Sequence, residues 1–148
     1  MNKNWRIRRR IPELDDLYLL TLIKENLGHY PSSYGLTDEK IIDLLNKYTE
    51  VFLLMSKAGS RVGFLAWTEK AKVMLLELCV LEPRYQGKGI ATYFMKKVES
   101  RARRGGFSSI RFYVDRNNER AQRLYQRFGY TVKRINWLTH TILMEKRM

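Results

Sequence analysis

The stretch Gln86-Gly87-Lys88-Gly89-Ile90-Ala91 is the most informative part of this 148-residue chain. It follows a run of strand-forming residues, 73–81, and precedes a helix-forming stretch, 92–104. This order predicts a glycine-rich turn at the N-terminal end of a helix. An anion binds favourably there, because the first helical amides have no partner within the helix and the helix dipole adds about half a positive charge. Glycines let the anion approach the backbone closely. The stretch therefore predicts a site for a pyrophosphate.

The spacing of this stretch separates it from commoner phosphate loops. A dinucleotide fingerprint needs G-x-G-x-x-G, but Thr92 stands where the third glycine is required, and the triphosphate loop G-x-x-x-x-G-K-[ST] is absent. The residues spell Q-x-x-G-x-A. This pattern resembles the acetyl-coenzyme A loop of the GNAT superfamily of N-acetyltransferases, R/Q-x-x-G-x-G/A. A glycine-rich turn between a strand and a helix is also common as a plain turn, so the motif alone leaves both interpretations open.

A second motif lies about thirty residues further along the chain. The segment from Asn118 to Tyr130 is similar to the other signature of the superfamily, N-x-x-A-x-x-L-Y-x-x-x-G-F/Y. Two signatures in the expected order are more specific than one, and the resemblance covers residues 73–133 closely. Periodicity gives an independent interpretation, because Ala121, Leu124, Tyr125 and Phe128 form one apolar face of a helix. On periodicity alone Tyr125 is a core aromatic residue, whereas the resemblance gives it a chemical role.

The composition fits one domain spanning residues 1–148. The chain has 45% hydrophobic residues and 29% charged residues, with no repeat, low-complexity tract or apolar run long enough to span a membrane. The basic N-terminus lacks the apolar segment of a secretory signal. The single cysteine, Cys79, cannot form an internal disulfide, which is consistent with a reducing cytosol. We therefore expect a cytoplasmic protein.

The element order along the chain matches the order of a GNAT fold, β-α-α-β-β-β-α-β-α-β-β. That fold is an α+β sandwich in which a mixed, mostly antiparallel sheet of six to seven strands has helices on both faces. Leu17, Leu20, Ile23 and Leu27 predict the first helix, and Thr37 and Asn118 are expected to cap later helices. The strands are expected at residues 5–11, 51–56, 62–68, 73–81, 109–114, 131–137 and 141–144, with helices at 14–27, from 37, at 92–104 and from 118, and a loop at 29–35.

The resemblance implies acetyl-coenzyme A as co-substrate, without a metal ion. Two neighbouring strands splay apart in such a fold, and the pantetheine arm pairs with the free strand edge, here Leu78, Cys79 and Val80. The resemblance further implies cofactor contacts from residues 86–91, Asn118 and Tyr125. Tyr125 would donate a proton to the leaving thiolate. We expect Cys79 to be a small buried packing residue, because no neighbour in sequence would lower the pKa of its thiol.

The base that would accept the amine proton is left open by the sequence. In relatives that acetylate protein α-amines, a Glu or His commonly stands five residues before the conserved Asn, where this chain has Tyr113. A phenol with a pKa near 10 is a poor base at neutral pH. Glu77 and Asp115 are the nearest carboxylates, and for each of them a solvated or salt-bridged role is the alternative. A chain of water molecules could also remove the proton.

The positive net charge of the chain adds binding to an acidic partner to the candidate functions. It has 28 basic and 15 acidic residues, a net charge of +13. Coenzyme A phosphates use part of this charge, while the excess could attract nucleic acid, a ribosome or an acidic protein. Three functions follow: transfer of an acetyl group to a primary amine of a small molecule or peptide, a basic nucleic-acid- or ribosome-associated module, or a non-catalytic coenzyme A sensor. Tyr30, Tyr34 and Trp137 are candidates to line the acceptor pocket. We expect no membrane association, and either a monomer or a homodimer.

Overall fold

A computed structural model describes residues 5–27 and 35–148. Its seven strands form one sheet in the order β1-β2-β3-β4-β5-β7-β6, and every neighbouring pair is antiparallel except β4 and β5. The predicted fold class and element order are confirmed, and a 3₁₀ turn at Pro83–Tyr85 adds an element that was not expected. The elements are β1 (Trp5–Arg9), α1 (Pro12–Leu27), α2 (Asp38–Lys47), β2 (Glu50–Ser56), β3 (Arg61–Lys70), β4 (Val73–Leu81), α3 (Ile90–Arg104), β5 (Ser109–Asp115), α4 (Glu119–Arg127), β6 (Thr131–Asn136) and β7 (Thr141–Arg147).

The predicted helix caps are present. The Thr37 side chain accepts a hydrogen bond of 3.2 Å from the Lys40 amide at the start of α2. The Asn118 side chain accepts one of 3.1 Å from the Ala121 amide at the start of α4. Gly129, which follows α4, has a φ of 93°, a left-handed conformation that favours glycine. Local sequence signals therefore fix the ends of these helices.

The sheet separates two hydrophobic cores, because successive residues of a strand point to opposite faces. In β2, Phe52 and Leu54 pack with α3 and α4, whereas Val51, Leu53 and Met55 pack with α1 and α2. We call these sides the α3/α4 face and the α1/α2 face. The buried hydrophobic residues of α1 are Leu19, Leu22 and Ile23. The predicted helix is present, although Leu17, one of the residues that indicated it, is 79% exposed.

A buried carboxylate attaches the start of α1 to the sheet. The Asp15 side chain is fully buried and accepts two hydrogen bonds of 2.9 Å from Arg8, one of 3.2 Å from Arg61 and one of 2.7 Å from the Ile11 amide. Burial alone would raise the pKa of Asp15, but the Arg8 guanidinium and the other donors outweigh this effect and lower it. The ion pair therefore joins α1 to β1 and β3.

Candidate active site

The sheet opens between β4 and β5. The parallel ladder runs from Val73↔Ser109 to Leu76↔Phe112 and then ends. Beyond it, β4 pairs only with β3 and β5 pairs only with β7. The first residues past the ladder are Glu77 on one strand and Tyr113 on the other. Within the described part of the chain, this gap leaves residues 77–81 without a strand partner on the β5 side, as the resemblance led us to expect.

A β-bulge at Glu77 changes which face the second half of β4 presents. Trp67 pairs with Leu76 and Ala66 pairs with Leu78, so Glu77 is an extra residue in β4. Before the bulge, Leu76 packs in the core of the α3/α4 face. After it, Leu78 and Val80 belong to the core of the α1/α2 face. The Val80 side chain is therefore turned away from the α3/α4 face, and Cys79 lies on that face.

A cavity of about 340 Å³ passes through the gap and is lined from both faces of the sheet. From the α3/α4 face it is lined by Leu76, Cys79, Phe112, Val114, Asn118, Ala121 and Tyr125. From the α1/α2 face it is lined by Ile23, Leu36, Ile41, Leu44, Tyr48, Glu77, Leu78 and Tyr113. Asp115 and Thr141 complete the lining at the ends of β5 and β7.

Tyr125 both packs in the core and lines the cavity. Its ring centroid lies 4.0 Å from that of Phe112 and 6.1 Å from that of Tyr130. Its hydroxyl interacts with the Cys79 thiol across the gap. Desolvation, followed by the interaction with Cys79, raises the pKa of Tyr125 well above its ordinary value. The phenol is therefore protonated at neutral pH, which is the state that a proton donor needs.

Cys79 is exposed to the cavity, so the prediction that it is a buried packing residue was wrong. The cavity walls nevertheless shield the side chain from bulk water. This desolvation raises the pKa of the Cys79 thiol, and the hydrogen bond with Tyr125 only partly opposes the effect. A neutral thiol is a weak nucleophile, so the electrostatics of the site do not favour an acyl-cysteine.

Glu77 is the carboxylate that the bulge brings to the gap. The residue is half-buried, and desolvation raises its pKa, while a hydrogen bond with Thr68 acts in the opposite direction. The neighbouring phenol of Tyr48 is affected in turn. Desolvation and the charge of Glu77 raise the pKa of Tyr48 to about 12. A carboxylate with a raised pKa is a stronger base than an ordinary one.

The other two candidates for the base differ from Glu77. Tyr113 lines the α1/α2 side of the cavity and is 47% exposed. Asp115 is buried, and its carboxylate accepts a 2.9 Å hydrogen bond from the Asn117 amide. The Asp115 carbonyl accepts another of 2.9 Å from the Asn118 amide. Asp115 therefore supports the turn that leads into α4.

The glycine-rich loop forms an open cradle at the start of α3. Gly87 and Gly89 have φ values of 74° and 78°, and a Cβ at either position would meet no heavy atom within 4 Å. Gly89 is the N-cap of α3 and provides no side-chain cap for the helix. Unpartnered amides beside open space fit a pyrophosphate. Gln86 donates a 2.8 Å hydrogen bond to the Leu81 carbonyl and so ties the loop to β4.

The remaining residues of the loop are arranged around this cradle. The side chain of Ile90, the first residue of α3, is buried, Ala91 is half-buried, and Lys88 is exposed. Asn118 lines the cavity while it caps α4. Ile90 therefore anchors the loop, and the Lys88 ammonium is the loop's charged group facing solvent.

Sequence reasoning missed some residues that line the cavity on the α1/α2 face and named one that does not line it. Tyr48 and Leu44 line the cavity, although their only sequence signal is the apolar pattern of α2. Leu36, which lies before α2 and outside that pattern, also lines it. Tyr30 and Tyr34 lie outside the described residues. The Arg116 guanidinium stacks 4.0 Å from the Trp137 ring, which is 68% exposed and does not line the cavity. In residues 5–27 and 35–148, no helix combines the length and the hydropathy needed to cross a membrane.

Comparison with solved structures gives the same fold. Ard1 from Thermoplasma volcanium superposes with a TM-score of 0.80 at 21% identity, over 98% of each chain. The PaiA N-acetyltransferase from Thermoplasma acidophilum, solved with coenzyme A, gives 0.78 at 19% identity, over 97% of this chain and 99% of the other. Spermidine N-acetyltransferase from Vibrio cholerae gives 0.78 at 16% identity, over 99% and 96%. Curated proteins give no significant match.

The family itself is shown by the sequence. The profile of the acetyltransferase (GNAT) family matches residues 13–130, which include both signatures, the split strands and the cradle. The chain therefore belongs to the GNAT acetyltransferase family.

Proposed function

We propose that this protein transfers the acetyl group of acetyl-coenzyme A to the nitrogen of a primary amine. One observation carries the proposal: the cavity joins Tyr125 on one face of the sheet to Glu77 on the other, at the point where β4 loses its strand partner. A proton donor and a proton acceptor thus lie on opposite sides of one gap. Direct transfer of an acyl group to an amine is accelerated by both.

The described residues fit the co-substrate. The cradle at Gly87 and Gly89 would hold the pyrophosphate, and the backbone of residues 78–80 would pair with the amides of the pantetheine arm. Asn118 would contact the arm from the start of α4. Bound acetyl-coenzyme A supplies the acetyl group, whose carbon–sulfur bond breaks as its bond to the amine nitrogen forms.

The two ionisable groups then divide the movement of protons. Glu77 accepts a proton from the acceptor ammonium group and leaves the nitrogen lone pair free to attack. Tyr125 donates its hydroxyl proton to the departing sulfur, and the acylated nitrogen releases its second proton to solvent as it becomes the amide nitrogen. The Tyr125 phenolate takes up a proton from solvent in turn. Glu77 returns its proton to solvent. The products are an acetamide and the free thiol of coenzyme A.

The test is an assay of thiol release from acetyl-coenzyme A with a panel of primary amines, together with mass spectrometry of the acetylated product. We expect release that depends on the amine. Acetyl-coenzyme A should also raise the melting temperature, because a ligand that binds only the folded state stabilises it. Gly89→Glu should abolish both effects, because its side chain and negative charge would occupy the cradle.

The chain offers a matched control in Gly59, in the turn between β2 and β3. Gly59 also has a left-handed φ, of 87°, and open space around its Cβ position. Gly59→Glu should therefore carry the same backbone strain and leave acetyl transfer intact. A full thermal shift in Gly89→Glu would remove the loop from the site. Binding without thiol release across the panel would make the protein a coenzyme A sensor.

A further inference from the structure

We infer that the acceptor is a small primary monoamine whose amino group is attached to an apolar aliphatic or aromatic body. This inference rests on the proposed transfer and names the class of substrate. It follows from the half of the cavity on the α1/α2 face, where the acceptor would reach the gap. The shape, polarity and charge of that half each restrict the acceptor.

The wall of this half is apolar. Ile23 and Ile41 form its buried part, and Leu36 and Leu44, which are 39% and 37% exposed, stand at its rim. Leu78 forms part of the floor beside Glu77. An apolar body placed here would remove the rim leucines from water, which is favourable, whereas a hydroxylated or charged body would lose its hydration without replacement.

Of the residues that the structure describes, Glu77 is the one carboxylate available to an ammonium group in this half. Glu77 faces the cavity, while Asp115 is engaged in the turn before α4. A second ammonium group on the acceptor would be shielded from water without a partner. Among the described residues, no Lys, Arg or His lines the cavity, so the carboxylate of an amino-acid acceptor would have no counter-ion there. Diamines and amino acids are both disfavoured.

The volume of the cavity and the net positive charge of the protein also favour a small monoamine. Ligand pockets span roughly 300–1,000 Å³, and this one, at about 340 Å³, must also hold the thioester end of the co-substrate. The remaining space suits a small body. The net charge of +13 opposes the approach of a polycation more strongly than that of a single ammonium group.

Matched amines test the inference. Pentylamine and cadaverine differ by a second ammonium group, and phenethylamine and phenylalanine differ by a carboxylate. We expect kcat/KM to be at least about tenfold higher for the monoamine of each pair, since tenfold corresponds to only a modest cost for an unpaired charge. The same amines are titrated into the protein–coenzyme A complex by calorimetry, so that acceptor binding is measured without turnover.

A carboxylate introduced at the rim of the cavity should shift the substrate preference from the monoamine toward the diamine. Leu44→Asp places a carboxylate where the second ammonium group of cadaverine would lie, so the ratio of kcat/KM for cadaverine to that for pentylamine should rise at least about tenfold. Leu138→Asp is the control, because Leu138 is 98% exposed in the turn between β6 and β7 and does not line the cavity. Its ratio should stay at the parent value.

The outcomes separate this inference from the proposed function. If cadaverine supports thiol release as well as pentylamine does, or phenylalanine as well as phenethylamine, the monoamine class is overturned. The proposed acetyl transfer is not affected by that result. A peptide with an apolar first residue that is acetylated faster than pentylamine also overturns it, in favour of a macromolecular acceptor. Tighter calorimetric binding of the monoamines without thiol release supports the acceptor class and refutes the transfer.

Discussion

At the scale of single residues, Tyr125 combines a packing surface with a hydroxyl that faces the gap in the sheet. Its ring lies against Phe112 and Tyr130, and its hydroxyl interacts with Cys79 at the gap. A change that removes only the oxygen can separate the two roles. A loss of packing would lower the stability of the protein, whereas a loss of the proton donor would lower kcat.

We expect Tyr125→Phe to fold and to bind acetyl-coenzyme A like the parent. Its kcat should fall about 10²-fold, the lower end for general acid catalysis, because the leaving thiolate loses its proton donor. The KM for acetyl-coenzyme A should change little, since the lost interaction is made mainly in the transition state. Steady-state kinetics with a responsive amine give both values. Tyr113→Phe is the comparison, and a larger loss in that variant would move the donor to Tyr113.

Glu77 should control the acidic side of the pH profile. Its pKa is raised by desolvation, so kcat/KM should increase with pH through a midpoint above the usual carboxylic range, as the base loses its proton. Glu77→Gln should remove this step and lower kcat/KM about 10²-fold. An unchanged profile would mean that water molecules, not Glu77, carry the proton away.

The stability of the same variant separates catalysis from folding. The folded state raises the pKa of Glu77, so the group contributes stability at low pH that is lost as the pH rises through the folded pKa. Above that pH the charged side chain costs free energy. Glu77→Gln stays neutral, so its melting temperature at neutral pH should equal or exceed that of the parent. A lower melting temperature would indicate a structural role.

At the scale of elements, α1 is held to the sheet by the ion pair of Asp15. Asp15→Asn should lower the free energy of unfolding by about 3 kcal/mol, the low end for removal of one member of a buried pair. Because the folded pKa of Asp15 is lowered, its stabilisation is complete above the unfolded pKa of about 4 and is lost as the pH falls toward the folded pKa. Urea unfolding at pH 7 and pH 3 measures the difference between parent and variant, which should shrink at pH 3.

The exposed pair of Lys24 and Asp38 provides the reference for that experiment. The two side chains are 54% and 58% exposed. Asp38→Asn should therefore cost less than about 1 kcal/mol at either pH. Equal effects of the two substitutions would show that burial of Asp15 adds nothing to the stability of the protein.

The elements themselves were predictable, because their signals are local. Thr37 and Asn118 act as helix caps, and the apolar period of α4 places Tyr125 correctly. The glycine pattern also located the start of α3 to within two residues. These features depend on residues within a few positions of one another, so one sequence contains them.

The site was only partly predictable, because its geometry depends on distant pairing. The bulge at Glu77 arises from the register of β4 against β3, which no local pattern encodes. Because the bulge could not be predicted, sequence reasoning could not show that Cys79 faces the cavity or that Glu77 stands at the gap. The burial of Leu17 depends on distant contacts in the same way. Its spacing suits an apolar stripe, but the docking of α1 buries Leu19, Leu22 and Ile23 instead.

At the scale of the whole molecule, the net charge of +13 should strengthen the binding of a polyanionic co-substrate. Screening shortens from about 10 Å at 0.1 M salt to about 3 Å at 1 M, so the Kd for acetyl-coenzyme A should rise about tenfold across this range. S-acetylpantetheine, which lacks the phosphates, should show no such change. Calorimetric titration gives both constants, and equal salt dependence would contradict the electrostatic contribution.

The split in the sheet has a consequence for the order of events during turnover. A cavity lined from both faces gives the donor and the acceptor separate approaches to the same point. Neither molecule has to leave before the other arrives, and no acyl group has to be stored on the protein in the interval. In the proposed reaction, the coenzyme would leave through the α3/α4 side and the acetamide through the α1/α2 side. The architecture thus imposes no fixed sequence of product departure.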